Sequence, residues 1–585
     1  MPVKRWEKVC AALGVLLIAA GMLSERLPAN LLFGRLPADS RREILIENAT
    51  ARAADDVCQV PTTVLRVPPW QKPLGAGVVF HGLAANRRLM TLLGESLANG
   101  GLTAYLIDLP GHGDNTDPFS FARAEECAAA VVEHLIGRGE ITLDRTVLVG
   151  HSLGGDIAMR LADRFTARAT IAISPGPLVS VPGIPDHLHI YDMPKRAPDT
   201  LLILAGGFDV PGFAYGAREM MRQFGGELTP SSAGYRRGHP RKLTMVDATH
   251  TSLVFHHQVL LWSSEWARRA LGEPNSPLGR SPLRWLQVQA APLGVVLLFP
   301  GLVTLLTLIS WSAAGAQGAE QEPLAFSRTA AIWAAGGVLA VLAVAAADPL
   351  AFLGLYTGSY LTSCVLVVGL ISFAGIRRAS LPVPTVSFGA ASRVPPPSGD
   401  CKRYAIHLFS RMPASRLVIG GGMALYLVLA FGWAFSQSLG DLRMNAERWW
   451  RFLALIPFML PYSVAEELVV GGPWRSWRHK KNESCRAEGC REHEPAGRRW
   501  LGATGRLLRW LTLRFLLWAP MVAAIFVLGS EHILAAVMAP SFLMVSLGQR
   551  LGADVIRRRS GSFLAGAIFS AILAAWFIAA VFPMV

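Results

Sequence analysis

The sequence has little of what holds small secreted scaffolds together. Its seven cysteines are an odd number scattered from Cys10 to Cys490, with no dense framework, so disulfides are not expected to hold the fold. Charged side chains are also scarce, at 17% against about 25% in a typical soluble domain. With 52% hydrophobic residues, the chain is too apolar to be wholly water-soluble. The net charge is +15, yet no nucleic-acid motif accompanies it, and Lys and Arg gather between apolar segments instead of along one stripe. No nucleic-acid partner is expected. No internal repeat of the inverted kind is visible, which argues against a transporter. The 585 residues are too many for one core, so two or more domains are expected.

What is present falls into three parts. In residues 1–24, Lys4, Arg5 and Lys8 precede an apolar run from Val9 to Leu23. Gly21-Met22-Leu23-Ser24 is a poor cleavage site, so this part reads as an uncleaved signal anchor. In residues 25–285, short aliphatic runs at 77–80, 103–107, 146–149, 170–173, 201–204 and 242–246 alternate with helical patterns at 90–99, 122–136, 156–164 and 214–224. That alternation predicts an α/β domain with a mostly parallel sheet covered on both faces.

Residues 286–585 carry long apolar segments at about 288–310, 328–347, 350–374, 416–436, 450–470, 509–528, 532–549 and 562–584. They predict an all-α polytopic transmembrane domain of about eight helices, nine spans with the anchor. If Lys4, Arg5 and Lys8 keep the N-terminus cytoplasmic, strict alternation puts the α/β domain outside, in the periplasm of a bacterial inner-membrane protein. The basic loops 375–415, 471–508 and 550–561 then fall inside. Arg443, Arg448 and Arg451 fall in an outside loop, a dissent from that rule.

The chemistry is carried by Gly150-His151-Ser152-Leu153-Gly154. Thr146–Val149 reads as a buried strand before it and Gly155–Arg160 opens a helix after it, the strand-turn-helix elbow that exposes a nucleophilic serine. A serine hydroxyl needs a base to take its proton. His250, in a loop after the strand run ending at Val246, is the candidate. The carboxylate that holds the imidazole is expected at Asp209, after the Leu201–Leu204 run and a glycine pair; Asp186 and Asp192 are the runners-up. Oxyanion donors are expected from the backbone N–H groups of Leu153, at the helix start, and Leu83, after His81-Gly82. His81, Gly82 and His151 are expected to line the substrate site.

With the His-Gly turn at 81–82, the Asp108-Leu109-Pro110-Gly111-His112-Gly113 segment, the elbow at 150–154, Asp209 and His250 in that order, residues 62–271 resemble the α/β-hydrolase superfamily. The resemblance implies an eight-stranded sheet, acyl transfer to water through an acyl-Ser152 intermediate, and no cofactor or metal. It leaves the substrate open. Residues 175–200, rich in proline, read as a short cap over an open site.

A second constellation lies in the apolar half. Glu466-Glu467 within an apolar segment, with Arg557-Arg558-Arg559 before the last one, resembles the CAAX-type membrane proteases. Gly471 and Gly472 stand where that family has an Arg, and Phe563–Val585 contains no His, so the resemblance implies a degenerate relative kept as a scaffold. His479, Cys485, Cys490 and His493 in the 471–508 loop lack a common zinc spacing.

The leading expectation is a membrane-anchored serine hydrolase acting on a small-molecule or lipid acyl ester, with membrane lipids as its other partner. A membrane transporter or scaffold with an accessory hydrolase-like domain, and a peptidase or amidase using the same triad, are the alternatives. Oligomeric state is not legible.

Overall fold

The computed structural model describes residues 5–26, 41–50, 57–67, 71–186, 189–229, 241–273, 284–309, 326–379, 414–436, 442, 444–470, 496–528 and 533–585. His479, Cys485, Cys490 and His493 lie outside them.

Nine strands form one sheet: β1 Arg41–Thr50, β2 Val57–Leu65, β3 Gly75–Phe80, β4 Leu102–Ile107, β5 Thr146–His151, β6 Ala169–Ile173, β7 Leu201–Gly206, β8 Glu227–Thr229 and β9 Arg241–Val246. Their spatial order is β1-β2-β4-β3-β5-β6-β7-β9-β8. Strands β3 to β9 pair in parallel, while β1 and β2 add an antiparallel edge. The sheet therefore has one strand more than expected, the short β8 beyond β9.

Strands β3 to β7 are largely apolar because both faces are covered, whereas β8 opens on Glu227 and β9 on Arg241 and Lys242. Val78, Phe80, Leu148, Ala172 and Ile203 point into one core. Their neighbours Val79, Val147, Val149, Ile171, Ile173, Leu202 and Leu204 point into the other, as period-two alternation requires. Five helices belong to this part: α1 is reserved for the N-terminal helix Arg5–Arg26, and α2 Thr91–Asn99, α3 Phe121–Gly137, α4 Leu153–Arg160, α5 Pro211–Gln223 and α6 His257–Ala270 cover the sheet. Ser120 caps α3 by accepting from the Arg123 N–H at 3.1 Å, and Pro211 stands where α5 begins, a position that needs no N–H donor.

One expectation is corrected here. Cys58 of β2 and Cys127 of α3 form a disulfide across 69 residues of sequence. Two thiols this far apart, among seven scattered ones, leave no spacing signal, and only the packing of α3 on the antiparallel edge brings them together. Closing a loop of that length contributes about 4 kcal/mol in the chain-entropy account.

The other half is helical: α7 Arg284–Ile309, α8 Phe326–Ala346, α9 Gly358–Ala379, α10 Ala414–Ser436, α11 Ala446–Val470, α12 Ala496–Leu528, α13 Ile533–Ser560 and α14 Phe563–Val581. With α1 they overlie the nine expected spans. Among the described residues five are long and apolar enough to cross a membrane, the windows falling in α8, α9, α11, α12 and α14. Helix α1 packs on α7 through glycines: a Cβ on Gly14 would lie 2.8 Å from the Gly294 carbonyl oxygen, and one on Gly294 2.7 Å from that of Gly14. Small residues at such a crossing let two backbones touch.

Glu466 and Glu467 are buried in the last turns of α11. Glu466 pairs with Arg514 at 2.9 Å, and Glu467 pairs with Arg550 at 2.6 Å. Buried carboxylates this costly to desolvate are held by their arginines. Glu7 of α1 likewise pairs with Arg559 at the end of α13.

At the opposite end the helical half docks on the α/β part. Arg448, in the first turn of α11, donates Nη1 to the carbonyls of Ala579 (2.6 Å) and Phe582 (2.9 Å) and Nη2 to that of Gly111 (2.8 Å). Arg451 donates to the Leu353 carbonyl at 2.7 Å. Arg448 is engaged at the contact between the two halves and Arg451 within the helical half, so packing accounts for their dissent from the charge rule.

Candidate active site

Strand β5 runs straight into α4, and Ser152 is the residue between them. Its φ of 52° and ψ of −123° are a conformation that L-residues rarely hold. Two glycines make the turn possible. A Cβ on Gly150 would fall 1.9 Å from the Gly154 carbonyl oxygen, and one on Gly154 would fall 2.3 Å from that of Phe80. Leu153 is the first residue of α4, so its N–H has no acceptor within the helix.

The expected base and acid come together. His250, 8% exposed in the loop after β9, has Nδ1 3.1 Å from Asp209 Oδ1 and 3.2 Å from Oδ2. Asp209 follows β7, and its Oδ1 also accepts from the Val210 N–H at 2.7 Å. Burial raises the Asp209 carboxyl, but the hydrogen bond and charge of the His250 ring, with Ser174 and the Val210 N–H, outweigh it and hold the group below the usual range. An Nδ1–H pointed at a carboxylate leaves the Nε2 lone pair as the proton acceptor. The runner-up Asp186 accepts from Ser180 at 3.0 Å, away from this pair.

Ser174 is a residue that sequence reasoning missed. It ends β6 with a φ of 42°, donates its hydroxyl to Asp209 Oδ2, and lies 3.1 Å from His250 Nδ1. The signal that could have found it is Ser174-Pro175-Gly176, a turn at the end of an apolar strand one place along the sheet from β5.

Gly82 lies against the nucleophile: a Cβ there would be 3.1 Å from Ser152 Cβ and 2.9 Å from His151 Nδ1. Its neighbour Leu83 is partly buried. His81 and His151, expected to line the substrate site, are both buried. His81 is fully buried; its Nδ1 donates to the Gly82 carbonyl at 2.8 Å and its Nε2 accepts from the Leu109 N–H at 3.0 Å. Both ring nitrogens are thus committed to the backbone. His151 donates Nε2–H to the His250 carbonyl at 3.0 Å, and burial pushes its ring down to about 3, so it is neutral. His81 thereby braces the turn at Gly82, and His151 the loop that carries His250.

The 108–113 turn is braced in the same way. Asp108 is fully buried and takes Arg87 in an ion pair, with the Arg87 N–H at 2.7 Å and the Asp114 N–H at 2.9 Å. His112 accepts the Ala84 N–H on Nε2 at 3.3 Å and donates Nδ1–H to the Pro110 carbonyl at 2.7 Å. The segment 175–200 carries no helix or strand in its described residues. Beside the site, Leu83, Ala84 and Ile184 pack against the core of the helical half.

This sheet order, with a serine elbow after β5, an acid after β7 and a histidine after β9, defines an α/β-hydrolase domain. Residues 78–352 match the alpha/beta hydrolase family, a span that runs past the sheet and through α7 and α8. A curated relative, the "Probable alcohol acetyltransferase" of Saccharomyces cerevisiae, is 34% identical over 92 residues, 15% of this chain. The match spans only 26% of that protein's length. Among solved structures, a thermophilic esterase from Thermogutta terrifontis is 16% identical over 39% of this chain and 99% of its own, with a TM-score of 0.29. An α/β serine hydrolase without lid from Xanthomonas campestris is 15% identical over 42% of this chain and 100% of its own, with a TM-score of 0.30.

Proposed function

We propose that the chain is a membrane-anchored serine hydrolase that cleaves an ester-type bond through an acyl-Ser152 intermediate. The observation that carries this reading is the Asp209–His250 pair at 3.1 Å in the fold that presents Ser152 in a strained turn at a helix N-terminus. Ser152 Oγ attacks the acyl carbonyl while His250 Nε2 takes its proton. The Leu153 and Leu83 N–H groups receive the oxyanion. His250 returns the proton to the departing alcohol, then activates a water that releases the acid and frees Ser152. The roles of Ser152, Asp209 and His250 are those of nucleophile, orienting acid and base.

The substrate class follows from setting. A site flanked on one side by apolar helices suits a lipid or other apolar acyl ester drawn from a bilayer. The Cys58–Cys127 disulfide supports an extracytoplasmic location for the domain, since such bonds persist in oxidising compartments. Alkylating intact cells before lysis is expected to leave both thiols unmodified; free thiols at these two positions would count against that side of the membrane.

A fluorophosphonate probe is expected to label the full-length protein in its membranes, and the label is expected to vanish in Ser152→Ala. Failure to label folded wild-type protein would sink the reading. A panel of ester, thioester and amide substrates separates it from a peptidase or amidase. The name of the yeast relative favours a second reading of the same intermediate, with an alcohol instead of water accepting the acyl group. Product analysis with and without added alcohol distinguishes the two.

A further inference from the structure

The helical half does more than hold the α/β domain near a bilayer, because it grips one turn of that domain through hydrogen bonds to its backbone. Gly111 has a φ of 72°, and its carbonyl accepts from Arg448 Nη2 at 2.8 Å and from the Met584 N–H at 2.9 Å. Met584 in turn accepts from the Phe119 N–H at 2.7 Å, so the segment after α14 lies along the turn as an added strand would. A Cβ at Gly111 would stand 2.4 Å from the Met584 carbonyl oxygen; only glycine admits this approach. Asn445 reaches the Gly113 carbonyl at 3.4 Å. Arg448 is 1% exposed, and the same guanidinium that holds Gly111 holds the C-terminal end of α14.

The next residue, His112, is fixed at both ring nitrogens, and one of them accepts the Ala84 N–H. Ala84 adjoins Leu83 and has a φ of 61°, a left-handed conformation that a non-glycine residue holds only when its surroundings impose it. Leu83 and Ala84 also pack directly against the helical core. The oxyanion loop is thus held from two directions by the helical half, once through side chains and once through Arg448, Gly111 and His112. An isolated α/β domain has neither support.

We infer that Arg448 and the Met584 backbone are positioning elements for the oxyanion loop, so that the helical half completes the hydrolase site. The inference rests on the assignment of Ser152 as nucleophile and Leu83 as an oxyanion donor. A loop set wrongly by a fraction of an ångström loses transition-state stabilisation before it loses substrate binding.

The test uses the full-length protein in detergent micelles with p-nitrophenyl butyrate as substrate and a trifluoromethyl ketone as inhibitor, whose hydrated or serine-bound oxyanion occupies the hole. Two variants are compared with wild type: Arg448→Met, which keeps the apolar stem and removes the donors, and a chain ending at Pro583. In both, kcat is expected to fall about 10- to 100-fold with KM within about twofold, and ketone inhibition is expected to weaken by the same factor as kcat. Unchanged kcat in either folded variant, or a rise in KM at constant kcat, overturns the inference. Should Arg448→Met fail to fold, the shortened chain decides it alone. If wild type neither turns over ester nor takes a fluorophosphonate, the serine-hydrolase reading itself has failed. If wild type does both and the variants match it, only the positioning role has failed.

Discussion

Replacing His250 with alanine is expected to lower kcat for an ester substrate by roughly 10⁵-fold, with the protein still folded. The size of the effect comes from the absence of a substitute base among the described residues around His250. The His151 imidazole lies beside His250, with ring centroids 5.0 Å apart, but it donates its Nε2–H to the His250 carbonyl and is neutral with its other nitrogen buried beside Gly82. His81 and His112 are committed to backbone groups on both nitrogens. None can turn toward Ser152 without breaking the loop it braces. Turnover in His250→Ala within 100-fold of wild type would mean that another group takes the serine proton, and the assignment of the base would be wrong.

Asp209→Asn is expected to cost about 10⁴-fold in kcat with little change in stability. An amide in place of the carboxylate can present its NH₂ to His250 Nδ1, which favours the tautomer with the proton on Nε2, the wrong nitrogen for a base. Ser174→Ala gives the comparison. It removes a single hydrogen bond to the same carboxylate and is expected to cost about 10-fold. In the double variant the Ser174 change is expected to add almost nothing, because both residues act through one imidazole. Full additivity in steady-state kinetics would show that Ser174 works on something other than the Asp209–His250 pair.

The parts of this molecule that could be read from sequence share a physical cause. Strands β3 to β7 are buried on both faces, so each is a short, largely apolar run; β9 keeps Leu243, Met245 and Val246 beyond a charged start; and each ends where the chain turns over the carboxyl edge of the sheet. Ser152, Asp209 and His250 all stand at such ends, which is why order and spacing single them out as candidates. The edge strands gave no such signal. Arg41, Arg42 and Glu43 open β1, and Pro61 sits inside β2, so neither resembles a buried run. Ser174 carries only the weak signal of a Ser-Pro-Gly turn after an apolar strand, because its partners Asp209 and His250 lie far along the sequence. The coupling of Gly111 to Arg448 spans 337 residues and exists only once two separately patterned halves have packed. The same holds for Cys58 and Cys127, and for the arginine pairs that hold Glu466 and Glu467.

The glycine crossing between α1 and α7 has a kinetic consequence. Those helices lead into and out of the α/β domain, and their close contact at Gly14 and Gly294 pins both exits side by side. A domain tied by one strand of linker would sweep a hemisphere; one tied at two adjacent points, and gripped again at Gly111, has almost no sweep. In the proposed membrane setting, its serine would meet only what diffuses laterally to it. Encounter then becomes a two-dimensional search, set by the surface density of substrate in the bilayer instead of its bulk concentration.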